Sequence, residues 1–263
     1  MKLTFLPHGI WRLALPLLAA SASLVVAPAL RAQGRPALID GQEPDAIIAH
    51  TLRAQDPPAG AGANDLVPLT LKLPDPAYVG TPKNIQVGPN VEPPSKTPRP
   101  PLLVPKDLKN VAPGSKITCS DPNANSAALA KLTDGDKEAL DGSILLLRKG
   151  VQWVQFDLGA PQEIFALAIW HAHDAPKVFH GVVLQVADDP EMTLNLRTIF
   201  NNDTENACQR GAGADREYFE TNQGKLIDAK GVKARYVRLY SKGSTDSAMN
   251  EYTEVEIYAR PAK

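Results

Sequence analysis

VQWVQFDLG, residues 151–159, decides how the rest of the chain is read. Val154, Phe156 and Leu158 fall on one side of an extended backbone, and Trp153, Gln155 and Asp157 on the other. A period of two is the signature of a strand with one face in a core. Working outward, KITCS (116–120), IFALAIW (164–170), GVVLQVADD (181–189), LRTIFNN (196–202), REYFETN (216–222), ARYVRLYS (234–241) and YTEVEIYA (252–259) carry the same texture. Gly, Asn and Asp turns separate them, and no long helical pattern intervenes. Val237 with Leu239, and Val255 with Ile257, mark the inward faces of the last two strands. About eight short strands predict an antiparallel sandwich, and roughly 150 residues can bury a two-sheet core.

The chain before this region is compositionally different. Of 24 prolines, sixteen lie between Pro36 and Pro113. Proline fixes φ and removes a donor, so residues 33–108 are predicted to be an extended, partly disordered Pro-rich segment. DAIIAHTLRA (45–54) offers a short amphipathic turn of helix, and LVPLTLKL (66–73) and PLLVP (101–105) have enough apolar content to lie against the folded domain. The segment is either a spacer, a dock for a protein partner, or a solvated tail. Residues 1–32 read as a secretory signal peptide, with Lys2 and Arg12 before the apolar stretch LALPLLAASASLVVAPA (13–29) and a small-residue cleavage site at Ala27 and Ala29 or at Ala32. Pro16 and Pro28 bracket a run shorter than the ~20 apolar residues of a spanning helix. The mature protein is therefore expected to be secreted or periplasmic, with no membrane span. An oxidising compartment permits a disulfide between Cys119 and Cys208, the only two cysteines; two buried free thiols are the alternative. A formal net charge of −1 gives no electrostatic reason to expect nucleic acid or an anionic membrane as partner.

KNVAPGSKITCSD, LTDGDK, VQWVQFDLGAPQEI, VVLQVADDPE, ARYVRLY and NEYTEVEIYAR occur in that order over about residues 109–260. Together they resemble the discoidin, or coagulation factor 5/8 type C, family of galactose-binding-like domains. The resemblance implies an all-β fold: an antiparallel jelly-roll β-sandwich over residues 109–263, preceded by the Pro-rich extended segment. It also implies a binding module that grips sugars, lipid headgroups or proteins through loops at one end, with a structural calcium at the other. Carried over by position, the calcium ligands are the Asp134 side chain, carbonyls of Lys131 and Asp136, the Glu254 carboxylate and the Thr253 carbonyl. Two carboxylates and several carbonyls suit a hard cation that takes six to eight oxygens. Glu254 also has the opposite parity to Val255 and Ile257 and so faces away from the core. The chain departs from the family at Ala139 and Asp141, where a Thr and a Trp are usual, and in the insertion EALDGSILLLRKG (138–150). The alternative is that Asp134 only makes an Asx-type turn.

IWHAHDAPKVFH (169–180) holds three of the five histidines. His171 and His173 continue the inward parity of Leu167 and Ile169, and His180 continues that of Val182, Leu184 and Val186. A hairpin through Asp174 to Phe179 would bring all three imidazoles to one end of one face. They then bind zinc or copper, contact a ligand at the rim, or anchor loop carbonyls. No G-x-S-x-G elbow, Walker loop or H-E-x-x-H motif is present, and Asp188 with Asp189 sits in a turn sequence. The leading expectation is an exported, non-catalytic module for carbohydrate binding or adhesion to a cell-surface glycan. Its ligand residues would be Trp170 stacking on a sugar ring, His171, His173, His180, and the polar loop opening with Asn201 and Asn202. The alternatives are a structural or protein-interaction subunit and a histidine-based metal site.

Overall fold

The structure, a computed structural model, describes residues 65–78, 80, 88–93, 97 and 99–263, all within one compact unit, Ala54–Lys263. The expected signal peptide (1–32) and the short amphipathic turn (45–54) lie outside the described residues. The strands are β1 (Leu66–Pro68), β2 (Leu103–Pro105), β3 (Lys109–Asn110), β4 (Lys116–Cys119), β5 (Leu145–Leu147), β6 (Gln152–His171), β7 (Val183–Ala187), β8 (Arg197–Asn201), β9 (Lys225–Ser241) and β10 (Asn250–Pro261). A short helix, α1 (Ser126–Ala130), follows β4 and is capped by the Asn125 side chain, which accepts from Ala128 N–H. All strand pairs are antiparallel, in the order β3-β10-β6-β9-β7-β8, with β4 on β6 and β5 on β10.

VQWVQFDLG and IFALAIW are not two strands but the two halves of β6. The first half pairs with β4 and with Tyr236–Ser241 of β9; the second pairs with β10 and with Lys225–Ala234 of β9. Between them the β6–β9 register shifts at Asp157 and Gln162, and Gly159 takes a positive φ of 78°. Strands that change sheets do so through such irregularities, so β6 and β9 each run through both layers of the sandwich. The core between the layers contains Val154, Phe156, Leu167, Ile169, Val182, Leu184, Val186, Val237, Leu239, Val255 and Ile257, all on the faces that alternation assigns inward. REYFETN does not form a strand. It contributes only isolated bridges, Glu217 with Val91 and Phe219 with Val178, because its neighbours are loops. The N-terminal half of β9, including the tight turn AKGVK, carries no clean alternation and is missed by pattern alone.

A third layer covers the outside of the β10–β6–β9 sheet. β1 and β2 form a two-stranded sheet, and Leu69, Leu102, Val104 and Leu108 pack on Phe165, Ala166, Leu226 and Tyr258. Polar anchors continue the cover. Arg99 donates to the carbonyls of Gly224 (3.0 Å) and Gln223 (3.3 Å), Asn222 donates to Pro74 O (3.0 Å), and Lys137 donates to Lys72 O (2.8 Å). These residues of the Pro-rich segment thus have defined contacts with the sandwich.

The expected disulfide is not formed: Cys119 and Cys208 are free thiols. The reason is parity. Cys119 pairs with Val154 and packs against the main core, whereas Cys208 sits with Val183, Tyr240 and Trp153 on the opposite face of the same sheet. Burial, with Asp203 beside it, pushes the Cys208 thiol up to about 12, which leaves it protonated and unreactive.

Asp121 ties the β4–α1 turn to the far end of the 138–150 insertion. It is 5% exposed and accepts from Arg148 N–H (2.7 Å) and Asn123 N–H (2.9 Å). Those bonds hold its carboxyl below the usual carboxylate range. The stabilisation is complete above the unfolded-state value of about 3.9 and disappears as pH falls through the lower folded-state value. Thermal melts between pH 2 and 7 are expected to show this acid loss in the native protein and a shallower one, from a lower starting midpoint, in Asp121→Asn. Parallel curves would contradict it.

Candidate functional site

The β6–β7 connection is held by its backbone and by one lysine. His180 N–H donates to Gly243 O (2.9 Å), Lys242 N–H to His180 O (2.8 Å) and Thr245 N–H to Val178 O (2.9 Å). Lys177, 3% exposed, meets Asp174 (2.9 Å), Glu251 (3.2 Å) and Asp246 (3.7 Å). Burial opposes its charge, but the Asp174 and Glu251 carboxylates outweigh burial and hold its pKa above the ordinary lysine value.

This connection does not gather the three histidines. His171 is fully buried, its Nδ1 2.6 Å from Glu220 Oε1 and its ring stacked on Phe179 and tilted against Tyr252. His173 is buried and donates from Nε2 to Lys137 O (2.9 Å). His180 is 40% exposed and pairs through Nδ1 with Glu217 Oε1 at 2.7 Å. Each imidazole has its own partner, and the described residues hold no cluster of three or more His, Cys, Asp or Glu side chains placed to bind a metal. The zinc or copper reading is therefore corrected, as are His171 and His173 as ligand contacts.

Trp170 is corrected too. It is 0% exposed, donates from Nε1 to Asn222 O (2.9 Å), and carries the Lys137 ammonium 4.5 Å from its ring. Gly224, at φ +60°, lies so close that a Cβ there would meet the indole at 2.7 Å. Pro74, Arg99 and the Asn222–Gly224 turn close over the end of the sheet that carries Trp170.

His180 instead lines a pocket of about 500 Å³, with Asn90, Asn202, Asp203, Glu217 and Lys242 among its walls. The size falls in the range of small-molecule sites. Glu217 fixes the imidazole through Nδ1, which leaves Nε2 as the ring's second hydrogen-bonding nitrogen. Asn202 accepts from Val182 N–H (2.7 Å), and its Nδ2 has no hydrogen-bond partner. Asp203 shapes the loop, accepting from Ala207 N–H (3.0 Å) and Cys208 N–H (2.7 Å). Asn201 is engaged within the same loop at both ends of its amide, to Asp203 N–H and Gly211 O, and does not line the pocket. Of the expected ligand residues the structure thus brings together His180 and Asn202. It adds Asn90, Glu217 and Lys242, which no spacing or periodicity marked. The walls mix hydrogen-bond donors and acceptors without a Trp, Tyr or Phe ring, a pattern matched by hydroxyl groups, which both donate and accept.

The residues proposed for calcium lie apart from this pocket. Asp134 accepts from Asp136 N–H (2.8 Å), Asp136 from Glu138 N–H (3.0 Å) and Ser143 Oγ–H (2.7 Å), and Lys131 donates to Ile144 O (3.1 Å). Glu254 is 1% exposed and accepts from Gly135 N–H (3.2 Å), joining the 134–136 turn to β10. Burial, reinforced by the Asp134 and Glu256 charges, pushes its carboxyl up to about 8. The nearest ammonium, Lys137, is 2.7 Å from Glu256. Thr253 is buried and its hydroxyl has no partner. A buried carboxylate beside a second one, with its charge poorly matched, is donor chemistry that fits a hard divalent cation.

Trp170→Ala is expected to lower stability by about 3–5 kcal/mol in urea denaturation, the usual loss for a large buried aromatic. His180→Ala, with a partly exposed ring, is expected to change it by less than about 1 kcal/mol. Similar losses in the two variants would show that the indole is not buried as described.

No protein-family model matches this chain, and no curated protein does. Among solved structures it is similar to the CBM32 of AlyQ in complex with 4,5-unsaturated mannuronic acid (19% identity, 54% of this chain and 92% of that one, TM-score 0.39). It is also similar to a Streptococcus pneumoniae fucose binding module, SpX-3 (19% identity, 58% and 99%, TM-score 0.39). A third is a chitosan-binding module from a Paenibacillus sp. IK-5 chitosanase/glucanase (17% identity, 57% and 98%, TM-score 0.40). A family 89 glycoside hydrolase from Clostridium perfringens is matched over 15% of its own length (16% identity, TM-score 0.43).

Proposed function

We propose that this protein is an exported, non-catalytic carbohydrate-recognition module that takes sugar hydroxyls into the His180–Glu217 pocket. The observation that carries the reading is the arrangement itself. A histidine held by a carboxylate, a lysine and an asparagine whose amide nitrogen has no partner line one small concavity at the strand tips. Hydroxyls on adjacent carbons satisfy such a mixed set, while an apolar ligand would strand it. A cell-surface or matrix glycan, met outside the cell or in the periplasm, is the partner this chemistry suits. Among the described residues no helix is long and apolar enough to cross a membrane. A protein-docking role for the Pro-rich segment is the less favoured reading, since its described apolar residues Leu69, Leu102 and Val104 pack on the sandwich's own outer face.

We further infer that Asp134 and Glu254, with carbonyls of the 131–136 turn and Thr253, hold a structural calcium. Bound there, the ion would supply the positive charge that Glu254 needs to ionise in its buried setting. Ligand recognition itself rests on the pocket residues, not on that ion.

A glycan array that includes unsaturated mannuronate, fucose and chitosan oligomers is expected to give at least one hit with the full chain. His180→Ala and Glu217→Gln should weaken that hit by about tenfold or more while the melting temperature is kept. Silence across the array, or equal binding by both variants, would defeat the reading. For the ion, millimolar calcium should raise the melting temperature over that in a chelator. The gain corresponds to about 2.7 kcal/mol at about 100 times the dissociation constant, and Asp134→Asn should lose it. No calcium dependence in the native protein would rule the ion out.

A further inference from the structure

Glu217 is pinned from both sides of its peptide by residues of the Pro-rich segment. Val91 bridges it in parallel, Glu92 N–H donates to Glu217 O (2.7 Å), and Glu217 N–H donates to Asn90 O (3.1 Å). Outside this ladder, Asn90 Nδ2 donates to Asp215 O (3.4 Å) and the Lys225 ammonium lies 3.1 Å from Glu92 Oε1. Gly88, Pro89 and Asn90 then line the same pocket as His180, Asn202 and Lys242. One short stretch therefore does two things. It closes a side of the concavity, and it fixes the main chain whose side chain sets the His180 ring.

We propose that residues 88–93 are a working part of the sugar site: Asn90 contacts the bound sugar, and the 90–92 ladder positions Glu217, so that binding requires this segment in place. The proposal rests on the sugar reading above. Asn90 is a ligand contact because it lines the pocket with His180, and its side-chain amide, which donates from Nδ2 to Asp215 O (3.4 Å), keeps a second N–H and its Oδ1 as hydrogen-bonding groups for a hydroxyl. Val91 and Glu92 act through Glu217 and are positioning residues. A sandwich beginning at residue 109 would keep His180, Asn202 and Lys242 and lose this wall.

The test uses the full chain and fucose, galactose, N-acetylglucosamine and a chitosan oligomer as titrants in calorimetry. Glu92→Pro removes the N–H that bonds Glu217, while Glu92→Ala removes only the ion pair with Lys225 and keeps that N–H. Asn90→Ala removes the wall amide and leaves the ladder intact, and it serves as the second probe of the wall should Glu92→Pro not fold. The proposal expects Glu92→Pro to weaken the best-bound titrant about tenfold, Glu92→Ala to stay within about twofold, and Asn90→Ala to lose affinity and change the order of preference among the four. Full affinity and unchanged preference in both Glu92→Pro and Asn90→Ala, with the wild type binding, would overturn the role of the segment and leave the pocket reading standing. Binding of none of the four by the wild type would overturn both.

Discussion

β6 and β9 pair from Gln152 with Ser241 to Ile169 with Lys225, and this one ladder serves both layers of the sandwich. Everything else is attached to it. β7 and β8 extend the half that carries Val237 and Leu239, β10 extends the half that carries Leu167 and Ile169, and the register break after Asp157 turns one half over the other. Arg235 straddles that corner, forked onto Asp157 by Nε and Nη2 at 2.7 and 2.9 Å. A planar, two-bond contact at a bend gives geometric definition that a single lysine ammonium would not.

The strand faces were legible because alternation is local. Val154, Phe156, Val255 and Ile257 needed only their own neighbours in sequence to be assigned inward, and the same residues in the structure are fully buried. What closes over the outward side was not legible. Glu254 was read as facing away from the core and Trp170 as a ring free to stack on a sugar, yet both are buried, because the 134–136 turn reaches the first and the Asn222–Gly224 turn the second from elsewhere in the chain. The cysteines show the same limit in another form. An oxidising compartment would permit a bond, but Cys119 packs on the core face of the sheet and the loop that carries Cys208 packs on the other face, a placement that spacing in the sequence does not carry.

The pocket is the sharper case. Of its polar residues, His180 was marked by continuation of the β7 parity and Asn202 by its place in a polar loop. Glu217 sits in a stretch that looks like a strand and is held only by single bridges, so its pattern pointed to a sheet and away from a site. Asn90 comes from a Pro-rich segment with no periodicity at all. Lys242 is simply the residue after β9 ends, and it lies beside His180 because Lys242 N–H donates to His180 O while His180 N–H donates to Gly243 O across the two connections. Sites at strand tips are assembled from pieces whose mutual placement depends on the whole sheet, and a one-dimensional pattern carries little of that.

β1 and β2 place a small sheet on the outside of the molecule, with Leu103 47% and Val67 40% exposed. An apolar two-stranded surface of this sort ordinarily invites neighbouring molecules to add strands at its margins. Here Pro68 and Pro105 stand at the last rungs and Pro101 just before them, each without an amide hydrogen. The row of donors is broken where an incoming chain would begin to zip. The prolines that first suggested an extended, partly disordered segment thus also leave the margins of this exposed apolar layer short of the amide hydrogens on which a further strand would pair.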